Sequence, residues 1–141
     1  MHTSSVEEYR SEDKAYMLKF YKKIRAESPF FHPYNLKLDS DKFNDPTRFK
    51  YHIKQGDIVA HVTFYGANDD YFVGVAVLAS NQRAGLATML LRFAEAKVRS
   101  LGGKRMIANI EPDNRASLNL FTKNGYRICR DEYPIVMEKI L

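Results

Sequence analysis

The sequence is poor in the residues that build several common kinds of functional site. With one cysteine, Cys129, among 141 residues, the chain can form no internal disulfide and no cysteine-based zinc cage, which suits a reducing compartment. Cys129 itself is expected to be buried as a small hydrophobe. Four histidines stand at positions 2, 32, 52 and 61 without an H-E-x-x-H pair or other helical ligand spacing, so no metal is expected. No apolar run approaches the roughly 18–20 residues that cross a bilayer, and the first residues lack a secretion-signal pattern. A cytoplasmic location without membrane partners is the expectation. Two familiar phosphate loops, G-x-x-x-x-G-K-[ST] and G-x-G-x-x-G after a strand, do not occur; Gly102-Gly103-Lys104 follows a helical segment and reads as its stop signal. Repeats, low-complexity tracts and Gly/Ser linkers are also missing, so residues 1–141 read as one domain.

What is present suits a packed interior. Apolar residues make up 45% and aromatics 13%, while 28% charged residues can cover the surface. Twenty-two Lys and Arg against seventeen Asp and Glu leave a formal charge of +5, which favours anionic partners. The basic residues are scattered rather than gathered into a stripe interleaved with aromatics. A phosphate-bearing cofactor is therefore the expected anion, and nucleic acid is not.

Patterning predicts the elements in order. Residues 6–10 read as a short strand, and residues 11–26 as a helix with Ala15, Leu18, Tyr21 or Lys22 on one side and Ile24 adding to the apolar surface. Residues 28–46 are mixed and punctuated by proline, a loop with a short helix near 39–44. Residues 49–53 and 58–65 flank a Gly-containing turn as a hairpin. The apolar run at 71–78 reads as a central strand covered on both faces. Residues 86–101 form an amphipathic helix with apolar positions 87, 90, 94, 98 and 101, and with Arg92, Glu95 and Arg99 on the opposite side. A strand at 105–110, a shorter helix opening at Asn114 and ended by Gly125, and strands near 126–129 and 133–141 complete the chain. The strand, helix, strand unit makes the 71–78 and 105–110 strands parallel, so the fold class is α/β: a mixed sheet with antiparallel hairpin strands first and a parallel pair in the middle.

The segment Gln82-Arg83-Ala84-Gly85-Leu86-Ala87-Thr88 lies between the apolar strand and the amphipathic helix. Backbone N–H groups in a helix's first turn lack intrahelical partners and sit at the positive end of its dipole, so a loop there can hold phosphate oxygens. Gly85 and Ala87 keep bulk away, and Arg83 can add a charged contact. An ordinary tight turn explains the same glycine.

With that loop and a second segment, Asn114-Arg115-Ala116-Ser117-Leu118-Asn119-Leu120-Phe121-Thr122-Lys123-Asn124-Gly125-Tyr126, the chain resembles the Gcn5-related N-acetyltransferase (GNAT) superfamily. The first matches the family's Q/R-x-x-G-x-G/A loop and the second its N-x-x-[AS]-x-x-[LF]-[YF]-x-x-x-G-[FY] segment. The resemblance covers nearly the whole chain. It implies six to seven strands with a splayed central parallel pair, about four helices, and acetyl-coenzyme A as acyl donor. It places the pantetheine arm against the backbone of Val75 and Val77, with the Val75 N–H polarising the thioester carbonyl. It places the diphosphate on residues 82–88, namely Gln82, Arg83, Ala84, Gly85, Leu86, Ala87 and Thr88. Asn114 joins as a cofactor contact and as a helix N-cap, with Ser117 and Phe121 beside it mainly as packing.

The implied activity is direct acetyl transfer to a primary amine of a small molecule, amino sugar, amino acid or peptide. Phe121 stands where many relatives place a tyrosine thought to protonate the thiolate. Water, Tyr126 or another phenol such as Tyr133 substitutes, or the thiolate leaves unassisted. The base is equally open: Tyr71 falls where relatives use a glutamate, and Glu111 and His61 are further candidates. Two other readings stand beside the enzyme: an acyl-coenzyme A sensor or degenerate enzyme, and a basic nucleic-acid module. Residues 30–45 and 127–134 are the expected acceptor region, and the last strands offer an edge for a homodimer.

Overall fold

The β-branched and aromatic residues between positions 48 and 77 fold as an antiparallel meander. The computed structural model describes residues 5–29, 37–82 and 84–141. In it β1 (Val6–Glu8) pairs with β2 (Arg48–Gln55), β2 with β3 (Asp57–Ala67), and β3 with β4 (Asp70–Val77). Gly56, at φ +78, takes the left-handed conformation that the tight β2–β3 turn needs, and Asn68 does the same between β3 and β4 at φ 61. The chain then crosses through α2 (Leu86–Ser100) to β5 (Arg105–Ile110), which lies parallel to β4. After α3 (Arg115–Lys123), β6 (Arg127–Asp131) and β7 (Ile135–Ile140) complete a seven-stranded sheet of order β1-β2-β3-β4-β5-β7-β6.

This is the mixed sheet with a central parallel pair that the sequence predicts, and the pair is splayed. β4 and β5 align only at Asp70↔Arg105, Tyr71↔Met106 and Phe72↔Ile107. Each strand then continues its ladder with its other neighbour, β4 with β3 as far as Val77↔Ala60 and β5 with β7 as far as Ile110↔Ile135. A gap opens between them.

Helices cover the two faces. α1 (Lys14–Glu27) lies across β3, where Phe20 and Tyr21 set their rings 6.3 and 5.9 Å from that of His61. α2 covers the other face with Leu86, Leu90, Leu91, Ala94 and Val98 buried. The chain leaving α2 passes so close to the sheet that a Cβ on Gly103 would lie 2.3 Å from Val98 Cγ1 and 2.9 Å from the Tyr71 ring. Among the described residues no helix is long and apolar enough to cross a membrane.

Several local expectations are corrected. The buried face of α1 is Met17, Phe20, Tyr21 and Ile24; Ala15 is exposed and Leu18 largely so, because apolar residues stand on both sides of this helix and the side bearing Phe20 and Tyr21 is the one that packs on β3. Glu95, placed on the solvent side of α2 by pattern, is 3% exposed. It accepts a 2.8 Å bond from the Tyr126 hydroxyl and a 3.0 Å bond from Lys139 Nζ, so its charge is buried with partners. Cys129 is exposed on the outermost strand, β6. Residues 39–44 form hydrogen-bonded turns rather than a helix. β4 is covered on one face only: Tyr71 and Val73 are buried, whereas Gly74 on the opposite face is exposed.

At Gly66 an added Cβ would lie 2.2 Å from the Asp70 carbonyl oxygen and 2.8 Å from Tyr71 Cα, both backbone atoms that cannot rotate aside. Gly66→Ala is expected to cost about 3 kcal/mol, the upper part of the range for overpacking. Gly56→Ala has open space around the added methyl and only its positive φ to oppose it, and is expected to cost about 1 kcal/mol. Urea unfolding of the two variants measures both.

Candidate functional site

The direction of the backbone groups in the gap follows from one hydrogen bond. Leu78 N–H donates to Val59 O at 3.0 Å. In-plane groups alternate along a strand and the β3–β4 register is unbroken, so even-numbered residues of β4 face β3 and the N–H groups of Val73, Val75 and Val77 face β5. Asp69 keeps the same parity, since its carbonyl accepts from Lys104 and Arg105 at 2.8 and 2.9 Å. On the other side Leu141 N–H donates to Lys104 O, which turns the even residues of β5 toward β7 and aims the backbone of Ile107 and Asn109 at β4. The Phe72↔Ile107 pairing still engages Ile107 and Val73; from Val75 and Asn109 onward these groups face a gap instead of a partner strand.

A cavity of about 460 Å³ fills that gap and spreads over the α1 side of the sheet. In the gap it touches Val73, Val75, Ile107, Ala108 and Ile110, with Asn114, Ser117 and Phe121 around the start and buried side of α3. Over the sheet it is lined by Tyr21, Arg48, His61, Thr63, Tyr65, Phe72, Gly74, Ala76 and Asn109. Glu111 and Tyr133 meet at its rim, where the Tyr133 hydroxyl donates to Glu111 Oε1 at 3.0 Å. That bond and the carboxylate's charge raise the Tyr133 pKa, so the phenol keeps its proton at neutral pH.

The α2 N-terminus follows the end of β4 through a 3-10 turn at Ala79–Asn81. Its N-cap is Gly85 at φ +77, with no side chain capping the turn. The first helical bond closes from Met89 N–H to Gly85 O, leaving the amides of Leu86, Ala87 and Thr88 without intrahelical acceptors. Ala84 and Gly85 are exposed and a Cβ on Gly85 would meet nothing within 4 Å, so the approach is open. Leu86 is buried and Ala87 half-buried. Gln82 Nε2 lies 3.4 Å from Val77 O, and Thr88 Oγ1 lies 3.4 Å from Asn124 Nδ2, both long contacts. Arg83 lies outside the described residues. Asn114 is both N-cap and cavity wall: its Oδ1 accepts from Ser117 N–H at 3.2 Å.

The four candidate proton carriers separate. Glu111 and His61 line the cavity, whereas Tyr71 and Tyr126 do not. Tyr71 is odd-numbered on β4, so its side chain projects to the α2 face and packs against Gly103. Tyr126 is 4% exposed, donates to Glu95 and meets Phe121 edge-on at 4.9 Å. Burial and the Glu95 charge push its pKa far above the usual phenol range; it is a structural donor. His61 is 5% exposed, and burial with the nearby charges of His52 and Lys50 lowers its pKa to about 3. It is therefore neutral at physiological pH, and its buried Nε2 has no hydrogen-bond partner among the described residues. Sequence reasoning missed Tyr21, Arg48, Thr63 and Tyr65 as cavity walls. A signal existed for two of them: Thr63 and Tyr65 follow His61 at strand spacing and share its face. Among the described residues no three His, Cys, Asp or Glu side chains gather to hold a metal ion.

Comparison with known proteins adds the following. The model of the acetyltransferase (GNAT) family matches residues 8–126. The GNAT domain of S. lividans PAT is similar in structure, with a TM-score of 0.84 at 23% identity, covering 99% of this chain and 92% of that one. The ribosomal-protein-S18-alanine N-acetyltransferase from Escherichia coli aligns with a TM-score of 0.79 at 14% identity, over 98% of this chain and 94% of that one. The PaiA N-acetyltransferase from Thermoplasma acidophilum, whose structure is a complex with coenzyme A, gives 0.82 at 11% identity over 99% and 100%. Identities this low carry the fold alone. None of the curated proteins compared with the chain matches it.

The buried histidines make stability depend on acid. His61 binds a proton near pH 3 when folded but near its ordinary 6.5 when unfolded, and burial also lowers the pKa of His52. The unfolded chain takes up these protons first. The stabilisation from keeping His61 neutral is complete above pH 6.5 and is lost as pH falls toward 3, at up to about 1.4 kcal/mol per pH unit. Urea unfolding at pH 7.5, 6.0 and 4.5 is expected to show His61→Phe losing less stability on acidification than the parent chain. The His61 ring signals should stay unprotonated in NMR spectra down to pH 5.

Proposed function

Because the chain belongs to the acetyltransferase (GNAT) family, we propose that it moves an acetyl group from acetyl-coenzyme A to the primary amine of a small molecule, amino sugar, amino acid or peptide. The observation that carries this reading is the unpaired edge of β4, with amides aimed into the cavity, ending just before a helix whose first turn is uncapped. Such an edge accepts an extended amide-bearing arm as an added strand would be accepted. The helix start beyond it suits a diphosphate. The residues thus fit an acyl-coenzyme A.

Acetyl-coenzyme A supplies, when bound, a thioester whose carbonyl carbon a neutral amine can attack. The chain's own groups do the rest. The Val75 N–H, facing the gap, is directed at negative charge developing on a carbonyl oxygen there, and because it is fixed in the sheet it does so without reorganisation. Val77 offers the next pair of backbone groups along the same edge. The amides of Leu86, Ala87 and Thr88 hold phosphate oxygens, and the bare Gly85 lets them approach. Asn114, with Oδ1 engaged in capping, offers Nδ2 to the arm.

Glu111 is the group we assign to the amine's proton. Its carboxylate lines the cavity and is steadied by the Tyr133 hydroxyl at 3.0 Å. Phe121 supplies an apolar wall where it lines the cavity; of Tyr126 and Tyr133, the two phenols that the sequence offers for the thiolate, Tyr133 is the one that lines the cavity, and we assign it that role. His61, neutral and unpartnered at Nε2, is assigned to orienting the acceptor rather than deprotonating it.

Calorimetry with coenzyme A and acetyl-coenzyme A, followed by thiol release on an amine panel, tests the reading. Both ligands are expected to bind, and Gly85→Val to weaken both at least about tenfold by blocking phosphate approach. Glu111→Gln is expected to lower kcat by about 100-fold with little change in acetyl-coenzyme A affinity. Absence of binding to well-folded protein overturns the proposal. Binding and thermal stabilisation without thiol release from any amine favours an acyl-coenzyme A sensor instead.

A further inference from the structure

A second cavity of about 150 Å³ adjoins the first and shares Tyr21, Arg48 and Thr63 with it. The charged side chains lining it are Lys37, Lys42 and Arg48, whereas those lining the larger cavity are Arg48 and Glu111. Three cations therefore stand at the β2 end of the continuous cleft and one carboxylate at the β5 end. Of the nearby acids, Asp39 pairs with Lys14, and Asp45, whose Oδ1 accepts from the backbone and the hydroxyl of Thr47, feels the charges of Arg48 and Lys50 without forming an ion pair with either. Among the described residues no carboxylate lies within ion-pair distance of Arg48.

Arg48 is also held in place. It is half-buried, its Nε donates to Lys42 O at 3.1 Å, and its guanidinium lies 4.2 Å over the Tyr65 ring. That leaves the planar outer edge, the one that matches a carboxylate or phosphate with two parallel hydrogen bonds. Lys50, adding a further positive charge on the same face, has its pKa lowered by burial and by the Arg48 charge, so the region carries positive potential that an anion would relieve. Phe43 and Tyr21 supply apolar wall between the cations.

We propose that the Arg48 end of the cleft binds an anionic group of the amine acceptor, so that the preferred substrate is a small amino-acid-like zwitterion rather than a simple or polycationic amine. The inference rests on the acetyltransfer reading and narrows its acceptor. Arg48, with Lys37 and Lys42 around it, takes the carboxylate or phosphonate, while the negative charge of Glu111, farther along the cleft, favours an acceptor that also carries an ammonium. Molecules carrying only positive charge meet repulsion at one end of the cleft, and neutral amines leave the guanidinium unpaired.

Matched acceptors test this directly: L-phenylalanine, L-methionine and L-glutamate, each against its α-carboxamide, and 2-aminoethylphosphonate against ethanolamine. The expected result is that the anionic member of at least one pair has kcat/KM about tenfold or more above its partner, mostly through KM, and binds correspondingly tighter by calorimetry. Whether the carboxylate pairs or the phosphonate pair respond identifies the anion. Arg48→Gln should collapse that ratio toward one, and Arg48→Lys should retain part of it, with coenzyme A affinity unaltered in both. A ratio near one across all pairs in the parent protein, or a ratio that survives Arg48→Gln, overturns the inference while leaving acetyl transfer standing. Loss of the acetyltransfer reading shows instead as failure to bind acetyl-coenzyme A; the calorimetric comparison of the pairs still decides the anion site.

Discussion

The parting of β4 from β5 after Phe72↔Ile107 is the constraint on which the rest of the structure depends. A buried parallel pair normally spends every backbone group on its neighbours. Here both strands keep full ladders on their outer sides and give up the shared one, so a row of amides is left facing a cavity. Polar backbone groups without a partner are costly away from water, and an open cavity is what makes the arrangement tolerable. The same opening leaves the Val75 amide facing the cavity, which is reached from the α1 side of the sheet and lined by Glu111, Tyr133, His61 and Arg48.

The opposite face must hold the two strands at this spacing, and a buried polar cluster contributes there. Glu95 on α2 is gripped by Tyr126, just before β6, and by Lys139 on β7. The helix behind β4 is thereby tied to the strand behind β5 by directional bonds in a site 3% exposed. Tyr126 is thus committed to architecture. Its phenol is taken up by Glu95, and the Glu111–Tyr133 pair, hydrogen-bonded at the cavity rim, is the phenol–carboxylate pair that faces the opening.

Much of the frame was legible because it follows from local periodicity. Glycines at 56, 85, 102 and 125 all adopt positive φ at turns or helix ends, and the loop between β4 and α2 and the segment opening α3 stand where their spacing implied. Errors arose where local pattern leaves phase undetermined. Apolar residues stand on both sides of α1, and contact with the sheet made Met17 and Phe20, rather than Ala15 and Leu18, its buried face. A one-residue parity difference on β4 separates Tyr71, packed under α2, from Phe72, which lines the cavity. The charge of Glu95 marked it as a surface residue, and only partners 31 and 44 positions away explain its burial.

By itself the sequence determined the order of elements, the parallel crossover and the glycine that precedes α2. These are set within a few residues by chirality, capping and alternation. Tertiary structure alone decided which side chains share the cleft: Arg48 with Thr63 and Tyr65, Glu111 with Tyr133, and a neutral His61 beneath α1. Those groupings arise from strand register and from burial. Both depend on contacts between distant segments, which no local pattern encodes.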